Sequence, residues 1–196
     1  MHFLQQACFT DRIIVVFAQE ITMTLPYAEP LVALAPQPRV IPEPPRAGEP
    51  GGAPCGLCDW LADFEHSDHE KPIWYDDNWA LCRATGVTIP GVVWLASRAH
   101  HDSFADLPDH LLHSYAPVVA RIERAILGLG DIARVHVYRW GDGSAHFHIW
   151  FFPRPLGMLE AKREMLALWA NVLPEAPKEA VANAEAKIAQ ALAETN

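Results

Sequence analysis

Apolar residues recur along this chain with two different periods. Over 104–130, Leu111, Leu112, Tyr115, Val118, Val119, Ile122 and Ile126 fall at the spacing of one helix face. That spacing predicts a helix starting at Pro108, kinked or divided at Pro117, and stopped by Gly128 and Gly130. "SAHFHIWFF", residues 144–152, has period two instead. As a strand it places His146, His148, Trp150 and Phe152 on one face and Ala145, Phe147, Ile149 and Phe151 on the other. "ARVHVYRW" precedes it, and Asp142-Gly143 predicts a tight antiparallel hairpin between the two. Residues 73–84 read as strand, Asp-Asp-Asn turn, strand, and 89–99 as a turn feeding a strand. Helical spacing returns at 159–173 and 178–194, split by "PEAP". Strands, a helix, strands and then helices predict an α+β fold with a mainly antiparallel sheet.

Proline density sets off the N-terminal part. Residues 30–54 read as an extended, partly polyproline segment, so 1–54 is expected to be a disordered or extended arm. Residues 55–155 then form the domain, and 156–196 a helical extension packed on the domain or on a second subunit.

With 196 residues, 51% of them hydrophobic, the chain can build one domain with a core. The net charge of −9 and the lack of a basic patch argue against long nucleic acids and anionic membranes as partners. A small nucleotide needs only one local site and stays open. The apolar run at 12–20 is too short to span a bilayer and lacks the flanks of a signal peptide. A cytoplasmic protein is therefore expected, in which Cys-x-x-Cys serves metal or redox chemistry rather than a disulfide framework.

Cys55 and Cys58 form that pair. Redox use expects a βαβ pattern around it, whereas a proline-rich arm precedes it here. Zinc needs two more ligands. His66 and His69 are nearest in sequence; His100, His101, His146 and His148 are more distant candidates. His101, His110 and His113 read as solvent-facing or half-buried, and His136 as part of the sheet. Cys8 and Cys82 read as ordinary thiols, and Trp60, Trp74, Trp79, Trp94 and Trp140 as core.

Four segments, in order, resemble the histidine triad superfamily. "AHFHIWFFPR" is similar to its His-φ-His-φ-His-φ-φ signature. "PGVVWLASRAHHDSFADL" resembles its second hallmark: a glycine, an apolar strand, a histidine nine residues after the glycine, and a leucine seven later. "WYDDNWALC" looks like its first hairpin, and Cys-x-x-Cys opens its zinc-bearing branch and the related galactose-1-phosphate uridylyltransferases. The resemblance spans 55–154. It implies a sheet of about five antiparallel strands with one long helix, to which this chain adds its C-terminal helical pair, and a homodimer. It also implies a structural zinc on Cys55, Cys58, His100 and His146. His148 takes the position of the nucleophile that attacks the α-phosphorus of a nucleotide, giving a nucleotidyl-histidine. Trp150, Arg154 and Ser144 take substrate-side positions.

This chain departs from the pattern in three places. Trp150 replaces the third histidine and cannot transfer a proton. "WGDGSAH" is shorter than the family's phosphate-lining element, leaving Ser144 one residue out of register. No Asp or Glu occurs from 78 to 101, where many members grip the ribose hydroxyls. The implied activity is nucleotide hydrolysis or nucleotidyl transfer. The alternative is an inactive nucleotide- or metabolite-binding protein with structural zinc.

Overall fold

The structure is a computed structural model that describes residues 38–66 and 71–194. Cys8, His69 and residues 1–37 of the N-terminal arm lie outside the described residues. Helix α1 spans Gly56–Asp63. Strands β1 (Trp74–Tyr75), β2 (Trp79–Arg83) and β3 (Val93–Ser97) follow. A 3₁₀ turn at Phe104–Asp106 leads into α2, Asp109–Leu127. Strands β4 (Ile132–Tyr138) and β5 (His148–Pro155) precede α3 (Met165–Val172) and α4 (Lys178–Ala193). The strands form one sheet in the order β1-β2-β3-β5-β4, every neighbouring pair antiparallel. The predicted class and strand number therefore hold. No helix among the described residues is long and apolar enough to cross a membrane.

Period-two alternation decides what each sheet face buries. Trp79, Leu81, Val93, Leu95, Ile149 and Phe151 share the back face. They pack on Leu111, Val118, Ile122 and Ile126 of α2, and on Ile188 and Leu192 of α4. Each such Leu, Ile or Phe contributes roughly 1.5–3 kcal/mol by leaving water. The first hairpin closes on Asp76, whose Oδ1 accepts from the backbone N–H groups of Asn78 and Trp79 at 2.8 Å each.

The front face is divided between two covers. Ala80 and Cys82 lie under α1 with Leu61 and Phe64. Val92 and Phe152 lie under the α3 region with Ala161 and Leu166. Across the front face, register aligns two rows: Ala80, Ala96 and His148, then Cys82, Trp94, Trp150 and Tyr138. The C-terminal helices therefore straddle the sheet, α3 on the front and α4 on the back.

Four expectations change. Asp142-Gly143 does not make a tight hairpin; β4 and β5 are joined by a loop over 139–147. That loop bonds to other segments rather than to β4. Ala145 N–H donates to the Ala47 carbonyl at 2.8 Å, Phe147 N–H to the His101 carbonyl at 2.5 Å, and the Gly141 carbonyl accepts from Arg46. Pro117 does not divide α2, which runs unbroken because Leu111, Val118 and Ile122 anchor it on both sides of the proline. Helix α3 begins at Met165 rather than 159, since Gly157 and Arg163 take left-handed backbone angles of 80° and 55°. Trp140 is not core: it is 50% exposed.

Candidate metal centre and the histidine beside it

Cys55 is the N-cap of α1, and its carbonyl accepts from the Cys58 N–H at 3.0 Å. This turn sets the two sulfurs side by side. His100 follows β3, and His146 precedes β5. Because β3 and β5 are antiparallel neighbours pairing Ala96 with His148, the end of one lies beside the start of the other. Four donor atoms, one each from Cys55, Cys58, His100 and His146, thus fall within 4.8 Å of one another.

The distances fit a tetrahedron. With Zn–S near 2.3 Å and Zn–N near 2.0 Å, a sulfur and a nitrogen on one zinc stand roughly 3.5 Å apart. Here Cys55 Sγ is 3.3 Å from His146 Nδ1, and Cys58 Sγ is 3.2 Å from His100 Nδ1 and 3.4 Å from His146 Nδ1. His146 is 1% exposed, and its Nε2–H donates to the Ser97 carbonyl at 2.8 Å. That bond fixes the tautomer with its lone pair on Nδ1, facing the sulfurs, as metal-bound histidines require. Burial, the largest cause, lowers the His146 pKa and keeps the ring in the neutral ligand form. The Cys58 thiol is pushed up to about 11, first by burial and then by Cys55. A divalent cation supplies the charge that turns such thiols into thiolates. Two thiolates and two imidazoles make a closed set, the structural type of zinc centre.

Residues 46–54, read from composition as the end of the arm, wrap this cluster. Arg46 donates to both Asp102 carboxylate oxygens at 3.1 and 2.5 Å, to Glu49 at 2.9 Å, and to the Gly141 carbonyl at 2.5 Å. Ala47 forms a parallel bridge with Ser144, whose hydroxyl donates to the Ala47 carbonyl at 3.3 Å. One arginine thereby ties the arm to the loop carrying His100 and the loop carrying His146. A single arginine in a proline-rich stretch gives no periodicity signal, so sequence reasoning missed it.

His148 opens β5, half-buried on the front face, and its Nδ1–H donates to the His146 carbonyl at 2.7 Å. The lone pair is thereby left on Nε2. The Trp94 ring meets it edge-on at 6.2 Å and reaches Trp150 at 6.1 Å. Trp150, next but one along β5, shares this face with His148. Arg154 stands six residues along β5 from His148, and its guanidinium donates to the Met158 carbonyl at 3.2 Å. At about 3.3 Å per residue that is roughly 20 Å away, so the structure does not bring Arg154 to His148. His66 and His101 are not among the cluster's donors.

No protein-family model and no curated protein matches the chain. Solved structures do. A zinc-bound histidine triad family protein from Mycobacterium smegmatis superposes with a TM-score of 0.53 at 19% identity, covering 72% of this chain and 97% of that one. A hypothetical histidine triad nucleotide-binding protein from Sulfolobus tokodaii gives 0.53 at 14%, covering 71% and 93%. A Hit-like protein from Bartonella henselae, described as involved in cell-cycle regulation, gives 0.51 at 18%, covering 67% and 92%. The chain has the histidine triad fold. Within this histidine triad fold, the Cys₂His₂ cluster sits where β3 and β5 leave the sheet, and His148 is the first strand residue beyond it.

Proposed function

We propose that the protein is a nucleotide hydrolase or nucleotidyltransferase working through a covalent nucleotidyl-histidine on His148. The observation that carries this reading is the 2.7 Å bond from His148 Nδ1–H to the His146 carbonyl. It holds the imidazole in one orientation and, in the neutral ring, leaves the lone pair on Nε2, the form a nucleophile needs. Nε2 forms a bond to phosphorus as the phosphoanhydride or phosphoramidate bond breaks. The electron pair leaves with the departing group, which takes its proton from solvent, since Trp150 has none to transfer. Water or an acceptor hydroxyl then attacks phosphorus and loses its proton to solvent, while the N–P bond breaks and its electron pair returns to His148 Nε2. Zinc on Cys55, Cys58, His100 and His146 holds the platform and stays outside these steps.

Two further features support the reading. The Sulfolobus structure of the same fold is described as nucleotide-binding. A cavity of about 370 Å³ beside Trp94, lined also by Leu57, Trp60, Thr85, Lys71 and Arg83, offers apolar walls and two cations. We assign it to the nucleoside part of a small nucleotide or nucleotide conjugate. Incubating the purified protein with mononucleotide phosphoramidates, dinucleoside polyphosphates and nucleotide sugars, followed by intact mass, tests the proposal. An acid-labile nucleotidyl adduct absent from His148→Ala is expected. Saturable nucleotide binding without adduct or turnover would instead establish a binding protein, the reading favoured by Trp150 at the third triad position.

A further inference from the structure

A second cavity, of about 510 Å³, opens on the front face beyond Trp150. It lies between the β2–β3 connection, β5 and α3, and its volume is that of a small-molecule site. Its walls carry no ionisable side chain. An ionic group placed there would lose its hydration without gaining a partner, which costs far more than burying a neutral one. Three aromatic rings form one side: Trp140, Trp150 and Phe152. The room comes from α3, which turns Ala167 and Ala170 toward the cavity while Leu166 packs into the core. Positions three apart share a helix face, so two small residues there leave one continuous recess.

Trp140 indicates what the recess accepts. Its ring stacks on Tyr138 at 5.2 Å and 10°, and stands 6.4 Å from Trp150 at 47°, yet it is half exposed. A flat ring entering the cavity would cover indole surface now facing water. Burial of that surface and ring-on-ring geometry both favour a planar guest over an aliphatic one. Asn171 and Thr85 line the same cavity and are exposed, offering donors and acceptors to the edge of such a ring.

We infer that this cavity binds an uncharged planar aromatic group of one or two rings. Trp150 is part of its wall and lies two residues, about 7 Å, along the strand from His148. On the function proposed above, and resting on it for this step alone, the aromatic group belongs to the part of the substrate beyond the phosphorus.

Calorimetric titration of the full-length protein with indole and with 2-naphthol tests binding without requiring turnover. Indole-3-carboxylate and 1-hexanol serve as charged and aliphatic controls. Saturable binding of a neutral aromatic is expected, at least tenfold tighter than either control. Ala170→Phe, which fills the recess, and Trp140→Ala, which removes an exposed wall, should each weaken it tenfold or more. His148→Ala should leave it unchanged, which separates failure of this site from failure of the nucleophile. No saturable binding of either aromatic would overturn the inference. So would equal binding of the controls, or undiminished binding in a folded Trp140→Ala protein.

Discussion

His148 is oriented by the backbone of His146: Nδ1 of one ring donates to the carbonyl of the other residue at 2.7 Å. The carbonyl that orients the candidate nucleophile thus belongs to a metal-centre residue. The coupling is mechanical, since the metal-facing atom of His146 is its own Nδ1 and the contact to His148 runs through the main chain.

Loss of a cluster residue should therefore reach His148. Cys58→Ser leaves three donors and should lower zinc affinity by more than the roughly 10–100-fold that follows loss of a residue merely supporting a ligand. Elemental analysis of the purified variant should show zinc well below one per chain. The Nδ1 proton resonance of His148, sharp in the zinc-loaded wild type, should broaden or vanish in the variant and after chelation. A variant that retains stoichiometric zinc through dialysis against chelator would sink the four-donor assignment.

The clamp at Arg46 makes a different prediction. Its two bonds to Asp102 and its bond to Gly141 join three segments around the cluster, but its ion pairs are partly solvated, with side-chain exposures of 27% and 34% in the Asp102 pair. Solvated pairs add little to global stability. Arg46→Ala should leave the melting temperature nearly unchanged while a chromogenic chelator withdraws zinc about tenfold faster. Arg46→Lys should rescue little of this, because an ammonium cannot reproduce the planar two-point contact. Equal release rates in all three proteins would show that the arm does not guard the metal.

Legibility in the sequence followed periodicity and spacing. Alternation over 147–152 separated Phe147, Ile149 and Phe151 from His148, Trp150 and Phe152, and the structure buries the first set against α2. Cys55 and Cys58 were visible through their spacing, whereas grouping them with His100 and His146 required the resemblance, since only strand pairing brings those histidines together. The 139–147 loop was misread because its turn dipeptide is local, while the bonds that shape it come from Arg46, Ala47 and His101. Trp140 was assigned to the core because large aromatics usually are buried; the open side of the α3 cavity depends on Ala167 and Ala170, far away in sequence.

Gly48 marks where the arm passes closest to the cluster. Its φ is +92°, and a Cβ there would stand 3.0 Å from His100 Cε1 and 3.4 Å from the Cys55 Cβ. Gly48→Ala combines a left-handed alanine with crowding of a cluster residue. The backbone part alone costs about 1–2 kcal/mol, which corresponds to a drop of roughly 2–8 °C in a domain of this size. Thermal unfolding of zinc-loaded protein measures it. Gly86→Ala is the control, since its added Cβ meets nothing within 4 Å at φ +61°. The excess loss in Gly48→Ala reports crowding against His100 and against the Ala145 carbonyl, 3.3 Å from the added Cβ.

His136 should contribute to acid sensitivity, with a sign that can be predicted. On the front of β4, the His136 Nδ1–H lies 3.0 Å from Tyr138 Oη and 3.2 Å from the Arg163 carbonyl, while Tyr138 donates to that carbonyl at 2.8 Å. Burial lowers the His136 pKa below its ordinary 6.5; the Arg163 carbonyl opposes this, and the positive charge of Arg154 adds to it. Tyr138 is pushed up to about 12, first by burial and then by Glu164, so its hydroxyl remains a donor throughout. Below pH 6.5 the unfolded chain takes up a proton that folded His136 still refuses. Stability is therefore full above the unfolded value and is lost as pH falls toward and through the folded one. His136→Phe removes this contribution, so its melting temperature should fall less than that of wild type between pH 7 and 5.5. The Cε1 proton of His136, followed by NMR across the same range, should titrate with a midpoint below 6.5; a midpoint above it would reverse the predicted sign.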